Sequence, residues 1–100
     1  MTEQWHGRIL ATARTLAGLT TIELAEAAGV TKRTINNLET SDAIYIAPKR
    51  RHGYTSAAVW EKIVAALGAR GVVLIAADET GGAGVRWVDA SAPSTTEPTW

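Results

Sequence analysis

Apolar positions recur along this chain in two rhythms, and the change between them falls near Gly71. Trp5, Ile9, Ala13 and Leu16 repeat at helical spacing and predict a first helix from about Thr2 or Glu3 to Ala17, closed by Gly18. Ile22, Leu24, Ala25 and Ala28 give a second, shorter helix its apolar face and leave Glu23 and Glu26 for water. Thr20 stands where it caps that helix, and Glu23, three residues on, completes a capping box. Gly29 follows as the left-handed terminator, a backbone conformation that is comfortable without a Cβ. Val30 then returns to the core, and Thr31 caps a third helix that turns Ile35 and Leu38 inward. Residues 40–54 read as loop: Thr40, Ser41 and Asp42 break the helix, a short apolar stretch runs from Ala43 to Ala47, and Pro48 precedes a basic run. A fourth helix, from Thr55 or Ser56 to about Ala69, carries the stripe Ala57, Trp60, Ile63, Val64 and Leu67.

Beyond Gly71 the period shortens. Val72 to Ile75 is apolar and mostly β-branched, the stretch from Asp78 to Gly84 holds three glycines, and Val85 to Val88 resumes an extended pattern, together a β-hairpin signal. A two-stranded ribbon is marginal alone in water and needs a partner, either the helical core or a second chain. The expected organisation is thus a helical bundle over residues 1–71, a hairpin of the same domain over 72–89, and a disordered tail rich in Ser, Thr and Pro over 90–100. The hairpin residues Val73, Ile75, Val85 and Trp87 are the candidate dimerisation surface, because the ribbon is too apolar to show both faces to water.

The outward residues of the third helix carry the candidate chemistry. Lys32, Arg33, Thr34, Asn36 and Asn37 combine two cations, a hydroxyl and two amides, the donors and acceptors that read base edges in a major groove. On an isolated helix the same set would be a solvated face. Directly after a capped helix and a Gly-Val turn, contact with double-stranded DNA is the better reading.

The same stretch resembles a known family. Leu10, Arg14, Gly18, Leu19, Thr20, Leu24, Ala25, Gly29, Val30, Ile35 and Glu39 fall at the spacing of the Xre/Cro family of phage and bacterial repressors, with similarity reaching roughly from Trp5 to Leu67. The resemblance implies a mainly α, lambda-repressor-like helix-turn-helix bundle of four to five helices, here followed by the C-terminal β-hairpin. It implies that Lys32, Arg33 and Thr34 enter the groove first, with Thr31 also a DNA-binding candidate, and that Arg14 and Glu39 form a structural ion pair. Thr21 stands where the family often has a Gln that touches a phosphate, and its hydroxyl donates with a shorter reach. The segment after Glu39 is longer than usual, and its basic run Lys49, Arg50, Arg51 and His52 lies where the family often grips the DNA backbone.

Composition is compatible with that picture. One hundred residues make one small domain, and an apolar content of 46% with 20% charged residues is ordinary for a globular protein. The net charge of zero argues against a nucleic-acid binder until it is divided along the chain. Residues 31–52 hold Lys32, Arg33, Lys49, Arg50 and Arg51 against Glu39 and Asp42, a balance of +3. Residues 72–100 hold Asp78, Glu79, Asp89 and Glu97 against Arg86, a balance of −3. Screening limits what a phosphate feels to about 10 Å or less in ordinary salt, so the local basic patch outweighs the total.

No catalytic set is apparent. The chain has no cysteine, its two histidines lie far apart without ligand-spaced companions, and the glycines at 81, 82 and 84 suit a turn better than a phosphate loop. No cofactor or metal is expected, and no apolar run or leader pattern indicates a membrane span or secretion, so a cytoplasmic location is expected. Of the four tryptophans, Trp60 and Trp5 are read as core, Trp87 as core cover or dimer seam, and Trp100 gives no reading. The sequence therefore points to a dimeric transcriptional regulator, a repressor or autoregulator. Two alternatives stay open: an antitoxin that masks a protein partner and represses its own operon, and an interaction adaptor with little affinity for DNA.

Overall fold

The computed structural model describes residues 3–49, 51–79 and 81–87. Arg50, Val88 and the tail predicted to be disordered lie outside the described residues. In chain order the elements are β1 (Glu3–Trp5), α1 (Gly7–Leu16), α2 (Thr21–Ala28), α3 (Lys32–Glu39), β2 (Ile44–Ala47), β3 (Thr55–Ser56), α4 (Ala57–Gly68), β4 (Val72–Ile75) and β5 (Gly84–Trp87). The fold is a mainly α helix-turn-helix bundle with a C-terminal hairpin, as expected, and it carries a second sheet that was not.

That sheet corrects two expectations. The first helix starts at Gly7, not near Thr2 or Glu3, because the residues before it form a strand antiparallel to β2, with Trp5 opposite Ile44 and Gln4 opposite Tyr45. Residues 40–54 are not wholly loop, since β2 lies between β1 and β3 and pairs in parallel with β3 through Ile46–Thr55 and Ala47–Ser56. Ile44 and Ile46 point into the core while Tyr45 between them is 42% exposed, the alternation of a half-buried strand. Three residues of β1 are too few to show a period, and their partner is some 40 positions away in sequence.

The helix boundaries elsewhere follow from local chemistry. The Thr20 hydroxyl accepts from the Glu23 backbone N–H at 3.1 Å and the Glu23 carboxylate accepts from the Thr20 N–H at 2.9 Å, closing the capping box. Gly29 sits at φ +71°, and Val30 N–H reaches back to the Ala25 carbonyl at 2.9 Å to finish the turn. Thr31 and Ser56 cap α3 and α4 in the same side-chain manner. Ile22 departs from its expected place: it is 51% exposed, because α2 buries only Leu24, Ala25 and Ala28.

Every layer contributes to one core. Leu10 of α1, Leu24 of α2, Ile35 of α3, Ile63 and Leu67 of α4 and Val72 of β4 are fully buried. Trp5 and Trp60 pack together with ring centroids 6.0 Å apart, joining the strand ahead of α1 to α4. The hairpin lies across α1 and α4, with Val72 opposite Trp87 and Leu74 opposite Val85 on its inner face.

Candidate nucleic-acid interface

α3 is held at both ends and left bare along its outer side. Its N-terminus is fixed by the Thr31 hydroxyl, which accepts from the Thr34 backbone N–H at 3.2 Å and lies 3.0 Å from the Thr34 hydroxyl. Its C-terminus is clasped by α1. Arg14 donates through Nε to Glu39 Oε2 at 2.6 Å and through Nη2 to Oε1 at 3.2 Å, and its Nη1 reaches the Leu19 carbonyl at 3.0 Å. The two side chains are 21% and 11% exposed, so this bidentate pair is partly desolvated and geometrically defined.

Gly7 completes the clasp. Its N–H donates to the Ser41 carbonyl at 2.9 Å, and a Cβ at this position would overlap the carbonyl oxygens of Leu38, Glu39 and Ser41. The first N–H of α1 is thus satisfied just past the end of α3, and the close approach sets the Leu38 and Glu39 carbonyls of α3 against the start of α1. Only glycine allows that approach.

With Ile35 and Leu38 buried, Thr31, Lys32, Arg33, Asn36 and Asn37 are exposed, and Thr34 is half-buried. Thr21, the first residue of α2, is half-buried as well. The two Thr hydroxyls at 31 and 34 serve the cap and each other, whereas Lys32, Arg33, Asn36 and Asn37 are exposed on the outer side of α3. The Glu23 carboxyl, on α2, is held below its ordinary value by the Thr20 backbone N–H and, after it, by the Thr20 hydroxyl.

The basic run resolves into different environments. Lys49 and His52 are exposed, and Arg50 lies outside the described residues. Arg51 is held in place: residues 51–54 form a tight turn, with Tyr54 N–H bonded to the Arg51 carbonyl at 2.8 Å and Gly53 at φ +80°. The Arg51 guanidinium lies 4.3 Å from the centroid of the Tyr54 ring, which in turn packs on Tyr45 at 5.8 Å. This turn stands beside α3, and Asn37 and Leu38 share an open groove with Tyr54 and Thr55. Neither tyrosine was singled out from the sequence. The alternation Ile44-Tyr45-Ile46 and the turn dipeptide Gly53-Tyr54 were the available signals.

The structure divides the four hairpin residues named as a dimer surface. Val85 and Trp87 pack against the core of their own chain, whereas Val73 and Ile75 lie on the outer face, Ile75 at 36% exposure.

Residues 10–44 match a helix-turn-helix family model of the Xre/Cro type. The match runs from α1 through α3 to the first residue of β2, the part that builds and clasps the exposed helix. The match supports a DNA-binding helix-turn-helix within residues 10–44. No curated protein matches the chain. No helix among the described residues is long and apolar enough to cross a membrane.

Proposed function

We propose that this protein is a dimeric, cytoplasmic transcriptional regulator, a repressor or autoregulator, that reads a near-palindromic operator through α3. The observation that carries this reading is α3 itself: it is fixed at both ends, buries only two residues, and exposes Lys32, Arg33, Asn36 and Asn37 together. In this reading Lys32, Arg33, Asn36 and Asn37 contact base edges, Thr31 and Thr34 set the entry of the helix, and Thr21, Lys49, Arg50 and Arg51 meet phosphates. Specificity from one such module is modest, so a second copy is needed. The apolar outer face of the hairpin, at Val73 and Ile75, is where that copy pairs. A two-fold dimer sets its α3 helices about 34 Å apart, one turn of duplex.

The test compares duplexes and variants. Arg33→Ala is expected to cost about 1–3 kcal/mol on the selected operator and little on random DNA, with binding falling steeply as salt rises. Val73→Lys combined with Ile75→Glu is expected to convert a sedimenting dimer into a monomer with weak operator binding, without opening the core that Val72 fills. Equal losses on both duplexes would make α3 a phosphate anchor. A double variant that stays dimeric would leave the hairpin face to a different protein, as in an antitoxin.

A further inference from the structure

Of the four helices among the described residues, α1 alone begins at a cap that can take up a proton near neutral pH. Thr20, Thr31 and Ser56 cap α2, α3 and α4 through hydroxyl oxygens, which accept at any ordinary pH. α1 is capped by an imidazole. His6, extended at φ −86° and ψ 139°, accepts at Nδ1 from the Arg8 backbone N–H at 3.0 Å. A neutral imidazole has one acceptor nitrogen, whereas the protonated ring has two donors and no acceptor. Protonation orphans the Arg8 N–H and sets a cation on the positive end of the α1 dipole.

The surroundings do not offset that charge. The first turn of α1 has no acidic residue and itself holds Arg8. On β1, Gln4 is neutral, Trp5 is buried, and Glu3 stands at the far end of the strand, opposite Ile46 of β2. β2 presents Tyr45, and the hairpin packed on α1 carries Arg86 on its outer face. Beside the Gly7–Ser41 contact are Glu39, already engaged by Arg14, and the exposed Asp42, which makes no ion pair with His6.

We propose that His6 is a proton-sensitive latch on the clasp between α1 and α3: the neutral ring closes the first turn of α1, and proton uptake loosens it. The next residue is Gly7, whose N–H is bound to the Ser41 carbonyl and whose missing Cβ lets the end of α3 approach. Loosening that turn therefore slackens the hold on α3, the helix that exposes Lys32, Arg33 and Asn36. Because only the neutral ring caps, stability rises from pH 5.5 to pH 8, the range in which histidine exchanges its proton. The latch stands whether or not α3 reads DNA.

The chain has two histidines, so the responsible proton can be assigned. Thermal melts at pH 8 and pH 5.5 compare the parent with His6→Ser, His6→Ala and His52→Asn. His6→Ser keeps a hydroxyl cap that does not titrate, so its small change between the two pH values sets the baseline from carboxylates. Beyond that baseline, the parent and His52→Asn are each expected to melt roughly 4 °C lower at pH 5.5, most of the worth of one cap. His6→Ala is expected to follow the baseline too, but from a melting temperature already lowered at pH 8. Imidazole nitrogen NMR of the parent at pH 8 is expected to place the His6 proton on Nε2, leaving Nδ1 to accept. A His6→Ser variant that loses as much as the parent, or a neutral His6 ring with its proton on Nδ1, overturns the latch.

Discussion

α2 and α3 are built from the same plan and put to opposite uses. Each has eight residues, each begins at a Thr N-cap, and they pack against each other. α2 spends its surface inward: Leu24, Ala25 and Ala28 are buried, and it lies between α3 and α4. α3 buries only Ile35 and Leu38. The difference is made good at its ends, where the Arg14–Glu39 pair and the Gly7–Ser41 contact hold the last turn. A short helix that must display its side chains cannot be held by its face alone, since isolated helices of this length do not persist in water. It is held by its termini.

The sharpest way to break that arrangement is at Gly7. Gly7→Ala forces a Cβ into three backbone oxygens, none of which can rotate away as a side chain would. The expected cost is roughly 3 kcal/mol or more. In a domain of this size it appears as a melting temperature lowered by more than about 12 °C. A melt within a few degrees of the parent would show that the α1–α3 contact has slack.

Arg14→Ala is the next largest. It leaves the mostly buried Glu39 carboxylate without its bidentate partner and removes the bond to the Leu19 carbonyl. A loss of about 2 kcal/mol in chemical denaturation is expected, more than a surface ion pair contributes. Arg14→Lys should recover only part of it, because the fork geometry is gone.

The two N-caps then separate scaffold from reader. Thr20→Ala and Thr31→Ala should each cost about 1 kcal/mol in stability. Thr20→Ala should leave DNA affinity unchanged once the protein is folded, whereas Thr31→Ala should weaken it, since that cap sets the entry of α3. Equal binding by both variants would remove the distinction between the helices.

The smallest effect is electrostatic and belongs to α2. The Glu23 carboxyl is held below its ordinary value by the Thr20 N–H and hydroxyl, so its contribution is present above the unfolded carboxylate range and lost as pH falls through the folded value. Acid titration of stability below about pH 4.3 should therefore be shallower in Glu23→Gln than in the parent. An unchanged acid limb would place the pH dependence elsewhere.

The α2–α3 region was legible because its signals are local. The capping box at Thr20 and Glu23, the turn at Gly29 and the inward pair Ile35 and Leu38 all act within one or two helical turns. The exposed set on α3 follows from the same periodicity, and so does the stripe on α4 that buries Trp60, Ile63 and Leu67. The sheet was not legible. β1 has three residues and β3 two, lengths at which alternation carries no signal, and their partner β2 lay inside a stretch dominated by turn residues.

What the sequence determined by itself was therefore the identity of the helix-turn-helix and the side chains it presents, because caps, glycine turns and apolar period are properties of neighbours in the chain. What only the tertiary structure decided was which side chains meet across long separations. Gly7 against the carbonyls of Leu38, Glu39 and Ser41, Tyr45 against Tyr54, and the turning of Val85 and Trp87 into the core each depend on distant segments coming together. Such contacts are selected by shape and desolvation in the assembled core, and a one-dimensional pattern does not hold that information.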